Sequence, residues 1–478
     1  MRRLVMVAAL VVIFANGLPA QAPPALSPAV RTFVSVDAPV VALTHVRVID
    51  GTGAPPAEDQ TIVIASGRIQ VIGAAAGTTP PAGAKVMDLR GYTVIPGLVG
   101  MHDHLFYPSG GGTVIYNEMG YSAPRLYLAC GVTSIRTGGS IEPDTDLNLK
   151  KLIDAGMMPG PKMFVTGPYL EGAGAFTPQM HELTGAEDAR KTVEYWADQG
   201  VTSFKAYMHI ARAELAAAVA AAHQRGLKVT GHLCSIGFRE AAALGMDNLE
   251  HGLLVDSEFA PGKAPDVCPA QPLIQEALAK LDLASAPVAE MIRDLVGHHV
   301  AITSTLPVFE TFVPNRPPLT QRVLDAMLPE ARVDYLARRA RIGSSTNSLW
   351  PVLLKKEMDF ERAFVRAGGL LIAGEDPTGY GGVLPGFGDQ REVELLVEAG
   401  FTLPEAIHIA AANGAEFMGE SARIGTLAAG KQADLVVIHG DPTANLADLE
   451  KVEIVFKDGI GYDSARLIDS VRGAVGLH

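Results

Sequence analysis

The feature that most constrains the fold is a unit that recurs through the middle of the chain: a helical segment, a glycine and a short apolar strand. In one example, residues 186–199 have helical spacing, Gly200 follows, and Val201 begins the strand. Glycine favours the left-handed turn that ends a helix, and a short apolar strand is typical of a parallel sheet covered on both faces. Candidate strands lie near Val94, Val132, Lys162, Val201, Leu227, Asp247, Val300 and Leu370. Eight such strands predict an α/β fold, and favour a (β/α)8 TIM barrel over a doubly wound sheet.

The two ends of the chain have a different pattern. Between residues 41 and 94, short alternating strands are separated by turns, as at Ser66-Gly67. The last part of the chain repeats this pattern at residues 433–438 and 452–457. Alternation of this kind is typical of hairpins with one buried face. We therefore predict a β-sandwich domain built from residues 41–93 together with 422–470, and a catalytic barrel at residues 94–421.

The first 40 residues are expected to lie outside both domains. Two arginines precede twelve apolar residues, 4–15, and small residues suited to a signal peptidase follow at 16–20. A membrane span needs about 18 or more apolar residues. The pattern therefore predicts a signal peptide at residues 1–20, a secreted or periplasmic protein and no stable membrane anchor. Residues 21–40, rich in proline and alanine at their start, are predicted to be a disordered extension.

Charge and cysteine content narrow the function classes. The chain has 39 Lys and Arg against 52 Asp and Glu, a formal net charge of −13. Nucleic-acid binding needs clustered cations, so no nucleic-acid partner is expected. Three cysteines, at 130, 234 and 268, allow at most one disulfide in an exported protein. We expect Cys234 to be a buried bystander.

Polar side chains follow several candidate strands at their carboxyl ends. In a barrel of this type, active-site groups are located on that face. They are His102 and His104 after the first strand, Lys205 on the fourth, His232 on the fifth, His251 on the sixth and Asp376 on the eighth. Four of the 13 histidines therefore lie where catalysis would be located.

Each of these residues also has a simpler interpretation when it is taken alone. His102 and His104 are two positions apart on a strand, so both face the same side, but any His-x-His pair does this. His232 and His251 could each be a hydrogen-bonded core histidine. Taken together, the set supplies the nitrogen and oxygen ligands that hold Zn²⁺, with Mn²⁺, Fe²⁺ and Ni²⁺ as alternatives.

Lys205 does not fit a simple cation site, because an ammonium would be repelled there. A buried lysine loses its proton readily. The neutral amine can capture CO2 as a carbamate, whose oxygens can bridge two metals about 3.5–4 Å apart. The alternative is a lysine whose head extends into solvent past the strand end.

These residues and their neighbours resemble the amidohydrolase superfamily. The similarity runs from about residue 43 to 462 and lies in the segments 96–104, 204–205, 231–232, 250–252, 373–376 and 424–437. The Gly-His and Glu-His-Gly contexts are similar to the branch that contains imidazolonepropionase-like proteins, metal-dependent prolidases and ochratoxin-type amidases. Imidazolonepropionase itself uses one metal and lacks the lysine of strand four. Lys205 therefore points to the binuclear members, which carry a carboxylated lysine.

The resemblance implies a role for each ligand. His102, His104 and Asp376 would bind the more buried of two divalent ions, most simply Zn²⁺, His232 and His251 the more exposed one, and carboxylated Lys205 would bridge them. A metal-bridging hydroxide would then attack an amide carbonyl. Asp376 would act as general base and acid, taking the proton and passing it to the leaving nitrogen.

The resemblance also implies a hydrolase that acts on carbon–nitrogen bonds of a small molecule. A dipeptide such as Xaa-Pro, or an N-acyl amino acid, is the predicted substrate. Residues 203–208 are similar to strand four of hydantoinases, so a cyclic amidase or a lactonase is the alternative. A metal-bearing binding protein without turnover is a third reading, and a homo-oligomer is compatible with each.

Several further residues are candidates for substrate contact. Tyr207 and His209 follow Lys205 with the same side-chain parity, and His181 lies in the loop after strand three. Arg136, at the end of strand two, could bind a substrate carboxylate. We expect it instead to pair with Asp103 or another acid.

Two other features are predicted to surround the site. Glu375 faces away from Asp376 on the same strand, so it is expected to be structural. Residues 253–297 and 307–360 are longer than minimal connections and are candidates for lids or substrate walls. The second of these segments carries a run of arginines that could form either a solvated helix face or an anion-docking site.

Overall fold

The computed structural model describes residues 25–109 and 115–476. The predicted signal peptide, residues 1–20, lies outside the described residues. The strands are β1 Val34–Val36, β2 Val40–Val48, β3 Ala57–Ala65, β4 Arg68–Ala74, β5 Lys85–Asp88, β6 Tyr92–Pro96, β7 Leu98–Asp103, β8 Phe106–Ser109, β9 Ile115–Glu118, β10 Val132–Thr137, β11 Lys162–Phe164, β12 Thr166–Leu170, β13 Ser203–Ala206, β14 Lys228–Gly231, β15 Asn248–Glu250, β16 Ala301–Ser304, β17 Leu371–Ala373, β18 Leu435–His439, β19 Val452–Lys457 and β20 Ile460–Asp463.

The helices alternate with the strands through the middle of the chain. They are α1 Pro28–Arg31, α2 Ala123–Ala129, α3 Pro143–Asp154, α4 Ala186–Gln199, α5 Arg212–Gln224, α6 Phe238–Ala243, α7 Gln271–Lys280, α8 Ala286–Gly297, α9 Leu306–Glu310, α10 Gln321–Leu324, α11 Pro329–Gly343, α12 Trp350–Arg366, α13 Phe387–Ala399, α14 Leu403–Ile407, α15 Gly414–Phe417 and α16 Ser464–Asp469. Single 3₁₀ turns lie at Gly252–Val255 and Leu446–Glu450, and a π-helical turn lies at His408–Asn413.

Parallel strands form the centre of the molecule. One sheet has the order β11-β10-β7 and another runs β12-β13-β14-β15-β16-β17, so neighbours in space follow the chain order. The sheets are joined at one side where Ser140 N donates to Gly167 O, 3.2 Å away. At the other side, Asp376 N donates to His102 O over 3.0 Å. The predicted α/β fold is confirmed.

Glycines end the helices as the sequence predicted. Gly200 follows α4 with φ +100°, and Gly400 follows α13 with φ +107°. A side chain disfavours this left-handed backbone, whereas glycine adopts it freely. Gly200 turns the chain from α4 back toward the next buried strand, β13, whereas Gly400 leads into α14.

The first parallel strand begins later than the sequence predicted. Val94 lies on β6, which pairs antiparallel with β18, and the parallel strand β7 starts at Leu98. Gly97 separates the two strands, and a Cβ atom there would lie only 2.1 Å from Thr133 Oγ1. An apolar strand pattern does not reveal to which sheet a strand belongs, so the prediction placed β6 in the wrong sheet.

Strands from both ends of the chain pair in one mixed sheet. Its order is β1-β20-β19-β18-β6-β2-β3-β4, with β5 on β2. A separate apolar core covers it, in which Leu43, Ile62 and Phe456 are fully buried. The two terminal segments therefore meet in one sheet of nine strands, directly next to the parallel strands.

Part of the predicted disordered extension is folded. Residues 28–31 form α1, in which Val30 N–H donates to the side chain of the N-cap residue Ser27, and residues 34–36 form β1, which pairs with β20. The prediction of disorder for residues 21–40 is therefore wrong over residues 28–36. Strand β20 gives β1 a pairing partner that is distant in sequence, and the composition of residues 21–40 does not reveal that partner.

The cysteines also differ from the prediction. Cys234 is not a bystander, because it forms a disulfide with Cys268 across 34 residues. Cys130 is the buried free thiol. The bridge links the loop after β14 to the long segment that follows the 3₁₀ turn at Gly252–Val255. No helix in the described part of the chain is long and apolar enough to span a bilayer.

Candidate metal centre

Three of the predicted ligands form a tight cluster. His102 lies on β7, His104 follows it, and Asp376 lies three residues after β17. One ligand atom of each falls within 4.8 Å of the other two. His104 Nε2 is 3.4 Å from Asp376 Oδ1, and both histidines are almost fully buried. These distances suit a set of side chains that converge on one cation.

The remaining three predicted ligands lie beside this cluster. Lys205 Nζ, on β13, is 3.0 Å from His102 Nε2. The ring centroid of His251 is 4.5 Å from that of His102 and 4.5 Å from that of His232. The structure therefore brings all six predicted residues together at the carboxyl ends of the parallel strands.

Two of the six residues have an unusual backbone. His251 has φ +68° and Asp376 has φ +51°. Left-handed conformations cost free energy for residues other than glycine and are concentrated at functional sites. Both residues turn off the end of a buried strand, and this conformation aims their side chains back toward His102.

A buried glutamate orients His102. Glu250, at the end of β15, has one carboxylate oxygen 2.8 Å from His102 Nδ1 and the other 2.8 Å from Arg136 Nη2. Arg136 Nη1 also donates to Thr230 Oγ1. Because Nδ1–H of His102 donates to the carboxylate, its Nε2 is left with a free lone pair that faces Lys205 and Asp376. The prediction that Arg136 pairs with an acid is confirmed, and the partner is Glu250.

His104 is fixed by its own set of contacts. Its Nδ1 lies 3.2 Å from Gly139 O, so Nε2 is the nitrogen that faces Asp376. Tyr127 OH donates to His104 O at 2.8 Å and accepts from His104 N at 3.1 Å. The sequence did not indicate Glu250 or Tyr127 as site residues. The signal for Glu250 is an ionisable residue at the end of a short strand, directly before the predicted ligand His251.

The protonation states suit metal binding. Burial lowers the pKa of His104 to about 4 and that of His232 to about 3, and it also lowers the pKa of His102 and His251. These imidazoles are therefore neutral at pH 7, with a lone pair available. Burial lowers the pKa of Lys205 to about 8, which gives a fraction of neutral amine.

Asp376 is ionised in spite of its burial. Desolvation raises its pKa, but the neighbouring His102 and His104 side chains oppose that effect and hold the pKa well below its usual range. Thr378 Oγ1 donates to Asp376 Oδ1 at 2.8 Å. Four neutral imidazoles, one carboxylate and one partly neutral amine form a donor set that fits divalent cations of borderline hardness.

A cavity of about 270 Å³ opens directly above these six residues. Of the predicted substrate contacts, Tyr207 lines this cavity. His209 is not among its lining residues, and its backbone N–H donates to Glu171 Oε1 at 2.7 Å. His181 lines a neighbouring cavity and pairs with Asp188 at 3.2 Å. Apart from Tyr207, the sequence did not indicate the phenylalanines and tyrosines of the cavity wall.

Glu375 lies behind the site, as predicted. Its Oε2 accepts from Asp389 N, at the start of α13, over 3.0 Å. This contact ties β17 to the helix that packs outside it, so Glu375 has a structural role.

Comparison with known proteins identifies the family. The model of the amidohydrolase family matches residues 93–460, which covers most of the chain. The chain belongs to the amidohydrolase family. The match includes the metal centre and every parallel strand, and it confirms the resemblance seen in the sequence.

Solved structures of this family have the same fold. A prolidase candidate from Bifidobacterium longum is 25% identical, with a TM-score of 0.63 over 90% of this chain and 98% of its own. A Xaa-Pro dipeptidase with bound methionine is 20% identical, with a TM-score of 0.65 over 89% and 100%. A bottromycin amidohydrolase is 22% identical, with a TM-score of 0.67 over 95% and 98%. Prolidases and other amidohydrolases are thus among the structures that this chain resembles.

A curated relative matches only a short segment. It is a dihydroorotase from Pelobacter propionicus, 35% identical over 89 residues. The match spans 19% of this chain and 20% of that protein, about a fifth of the length of either. It is consistent with the family and carries no information on substrate.

Proposed function

We propose that the protein is a binuclear metal-dependent amidohydrolase that cleaves an amide bond in a small molecule. The observation that carries the proposal is the convergence of four neutral histidines, Lys205 and Asp376 below one open cavity. The family match supports hydrolysis of a carbon–nitrogen bond. The names of several structural neighbours, a Xaa-Pro dipeptidase and an amidohydrolase among them, support an amide as the substrate.

The scaffold proposed for this site is a single (β/α)8 barrel. Hydrogen bonds at both seams between the two parallel sheets, at Ser140 and at Asp376, support closure of the strands into one ring. A closed ring aims all its strand ends at one point, as the site requires. We propose that the nine-stranded sheet curves into the predicted β-sandwich beside it.

The metal-binding roles are assigned as the sequence predicted. His102, His104 and Asp376 would hold one divalent ion, His232 and His251 a second, and Lys205, as a carbamate, would be shared between them. Zn²⁺ is the expected metal. Bound cations would supply a water of lowered pKa and an electrophile for the amide carbonyl. The neutral fraction of Lys205, whose pKa is about 8, supports reaction of this amine with CO2.

Asp376 carries the proton transfer in this proposal. Its carboxylate is ionised, it faces the cavity, and Thr378 holds Oδ1 in place. An ionised carboxylate can accept a proton from the attacking water and deliver it to the leaving nitrogen. Without that delivery, the amine would have to leave as a strongly basic anion.

We also propose that the protein functions outside the cytoplasm, in the periplasm or after secretion. The disulfide between Cys234 and Cys268 supports this location, because disulfides persist in oxidising compartments. The predicted signal peptide supports it as well.

The test is turnover of a panel of amides, dipeptides, hydantoins and lactones by metal-replete protein. We expect amide hydrolysis that a chelator abolishes and added Zn²⁺ restores. Asp376→Asn should keep much of the metal, since four histidines remain, but lose turnover. Hydrolysis of the hydantoins or lactones alone would replace the proposal by its cyclic-substrate alternative. Absence of any turnover would favour a binding protein.

A further inference from the structure

The walls of the cavity above the metal centre are aromatic. Ring-to-ring contacts form an arc from one predicted metal ligand to another, with centroid distances between 4.3 and 5.7 Å. In order along the arc, its members are His104, Phe106, Tyr116, Phe176, Tyr207 and His232. Another aromatic ring, that of Phe309, lies 5.9 Å from the ring of His251 and also lines the cavity. A substrate that reaches the centre therefore contacts a largely apolar wall.

Charged groups in this cavity belong to the metal centre. Among the described lining residues there is no arginine, Lys205 is the one lysine, and Asp376 is the one acid. Residues 110–114, Gly-Gly-Gly-Thr-Val, add no ionisable side chain. Arg136 lies behind the centre, where Glu250 and Thr230 hold it. The side chains assigned to the metals are therefore the only charged groups that a bound substrate would meet on the described walls.

Cations outside the cavity are already engaged. A neighbouring cavity of about 400 Å³ shares Tyr169 and Met180 with the first and contains Lys191 and His181. Lys191 Nζ is 3.4 Å from Glu187 Oε1, and His181 pairs with Asp188. Outside the metal centre, a carboxylate beside the scissile amide would therefore meet no unpaired cation among the described residues of either cavity wall.

The hydroxyl groups in the wall are neutral donors. Tyr169 and Tyr207 line the cavity, and the phenol of a tyrosine is uncharged at neutral pH. A phenol can donate to a carbonyl or ether oxygen, but it does not balance a buried charge.

We infer that the substrate is an uncharged amide with aromatic or branched apolar groups on either side of the scissile bond. This inference rests on the proposed function and replaces the predicted dipeptide or N-acyl amino acid. A free α-carboxylate or α-ammonium would have to lose its water against aromatic walls that carry no counter-charge of their own, which is unfavourable. An apolar group gains free energy from the same transfer.

Matched substrates that differ only in the carboxylate provide the test. One pair is N-acetylphenethylamine and N-acetyl-L-phenylalanine, and a second is N-acetylpyrrolidine and N-acetyl-L-proline. Released amine or acetate is measured with metal-replete protein. We expect kcat/KM for the neutral member to exceed that of the acid by about 100-fold or more in each pair. Equal or faster hydrolysis of the acids would overturn the inference and leave the proposed function in place.

If none of these compounds is hydrolysed, that result counts against the proposed function. The inference about the substrate is then tested by measuring how tightly the same compounds bind. Calorimetry with Asp376→Asn should show binding of the neutral member at least about 10-fold tighter than that of the acid. Equal or tighter binding of the acid would overturn the inference whether or not turnover occurs.

A change in the wall tests the cause of the selectivity. Met180 is half-buried and lines both cavities, so Met180→Arg would place a cation near the substrate, and Met180→Gln is the uncharged control. We expect Met180→Arg to raise kcat/KM for the acids by about 10-fold relative to Met180→Gln. Equal values for the two variants would show that wall charge does not select the substrate, which contradicts the inference.

Discussion

Replacement of Glu250 by glutamine tests how the protein prepares His102 for a metal. The carboxylate accepts from His102 Nδ1 with one oxygen and from Arg136 Nη2 with the other, each at 2.8 Å. Glutamine has one acceptor oxygen and an NH2 group, so it can satisfy one of these donors and must present a donor to the other. The variant also leaves the guanidinium of Arg136, which is 2% exposed, without its negative partner.

Both losses have expected magnitudes. Loss of the group that orients a metal-binding histidine weakens metal affinity by about 10- to 100-fold, equivalent to about 1.4–2.7 kcal/mol. Removal of one partner from a buried ion pair lowers the free energy of unfolding by about 3–5 kcal/mol. Glu250→Asp separates the two effects, because it keeps the charge for Arg136 but shortens the reach to His102. It should lose metal affinity with a smaller loss of stability.

The assay is a competition titration of Zn²⁺ against a chelator, together with thermal unfolding of the metal-free protein. Glu453→Gln serves as the control, since Glu453 is exposed and its carboxylate accepts from Tyr92 alone. The reasoning would be refuted by a folded Glu250→Gln protein whose Zn²⁺ affinity is within about threefold of wild type.

Other predictions concern stability. Burial raises the pKa of Asp146 to about 7, so the folded state favours its neutral form, and stability falls as pH rises from about 3.8 to about 7. The Tm of Asp146→Asn should therefore rise relative to that of wild type as the pH increases from about 4 to about 7, and a pH-independent difference in Tm would contradict this. Gly97→Ala should destabilise the protein by about 1–3 kcal/mol in urea unfolding, because the new Cβ meets Thr133, and an unchanged midpoint would count against that contact. Cys268→Ser opens the 34-residue loop to Cys234 and should lower the free energy of unfolding by about 3–4 kcal/mol. The Tm of the variant should be lower than that of wild type and should no longer change when a reductant is added. An unchanged Tm would contradict this prediction.

The location of the site could be predicted from the sequence because its residues lie at strand ends. His102 lies near the end of its strand, and His232 and His251 directly follow theirs; parallel strands of a βα-repeat bring those ends to one face. For His232 and His251, the position after a glycine-ended helix and a short strand was therefore enough to place the residue. The sequence assigned the strand at Val94 to the parallel sheet, whereas it belongs to the mixed sheet. An apolar run of residues fits either sheet equally well.

The surroundings of the site could not be predicted in this way. Glu250 contacts His102 across 148 residues of sequence, and the aromatic arc combines Phe106, on β8, with Phe176 and Tyr207 from two loops. Such contacts depend on how side chains pack between neighbouring strands, for which a single sequence contains no periodic signal. For His209 the prediction was wrong in the other direction. Its position two residues after Tyr207 predicted a side chain on the same face, but His209 is not among the residues that line the cavity.

The most direct test of the account is the metal content of the purified protein, measured together with the Lys205→Ala variant. If Lys205 bridges two ions as a carbamate, wild type should contain about two metals per chain, and the variant should lose at least one of them along with activity. Added bicarbonate should promote reconstitution of the metal-free wild type but not of the variant. A single metal per chain, with full activity retained in Lys205→Ala, would contradict the binuclear centre.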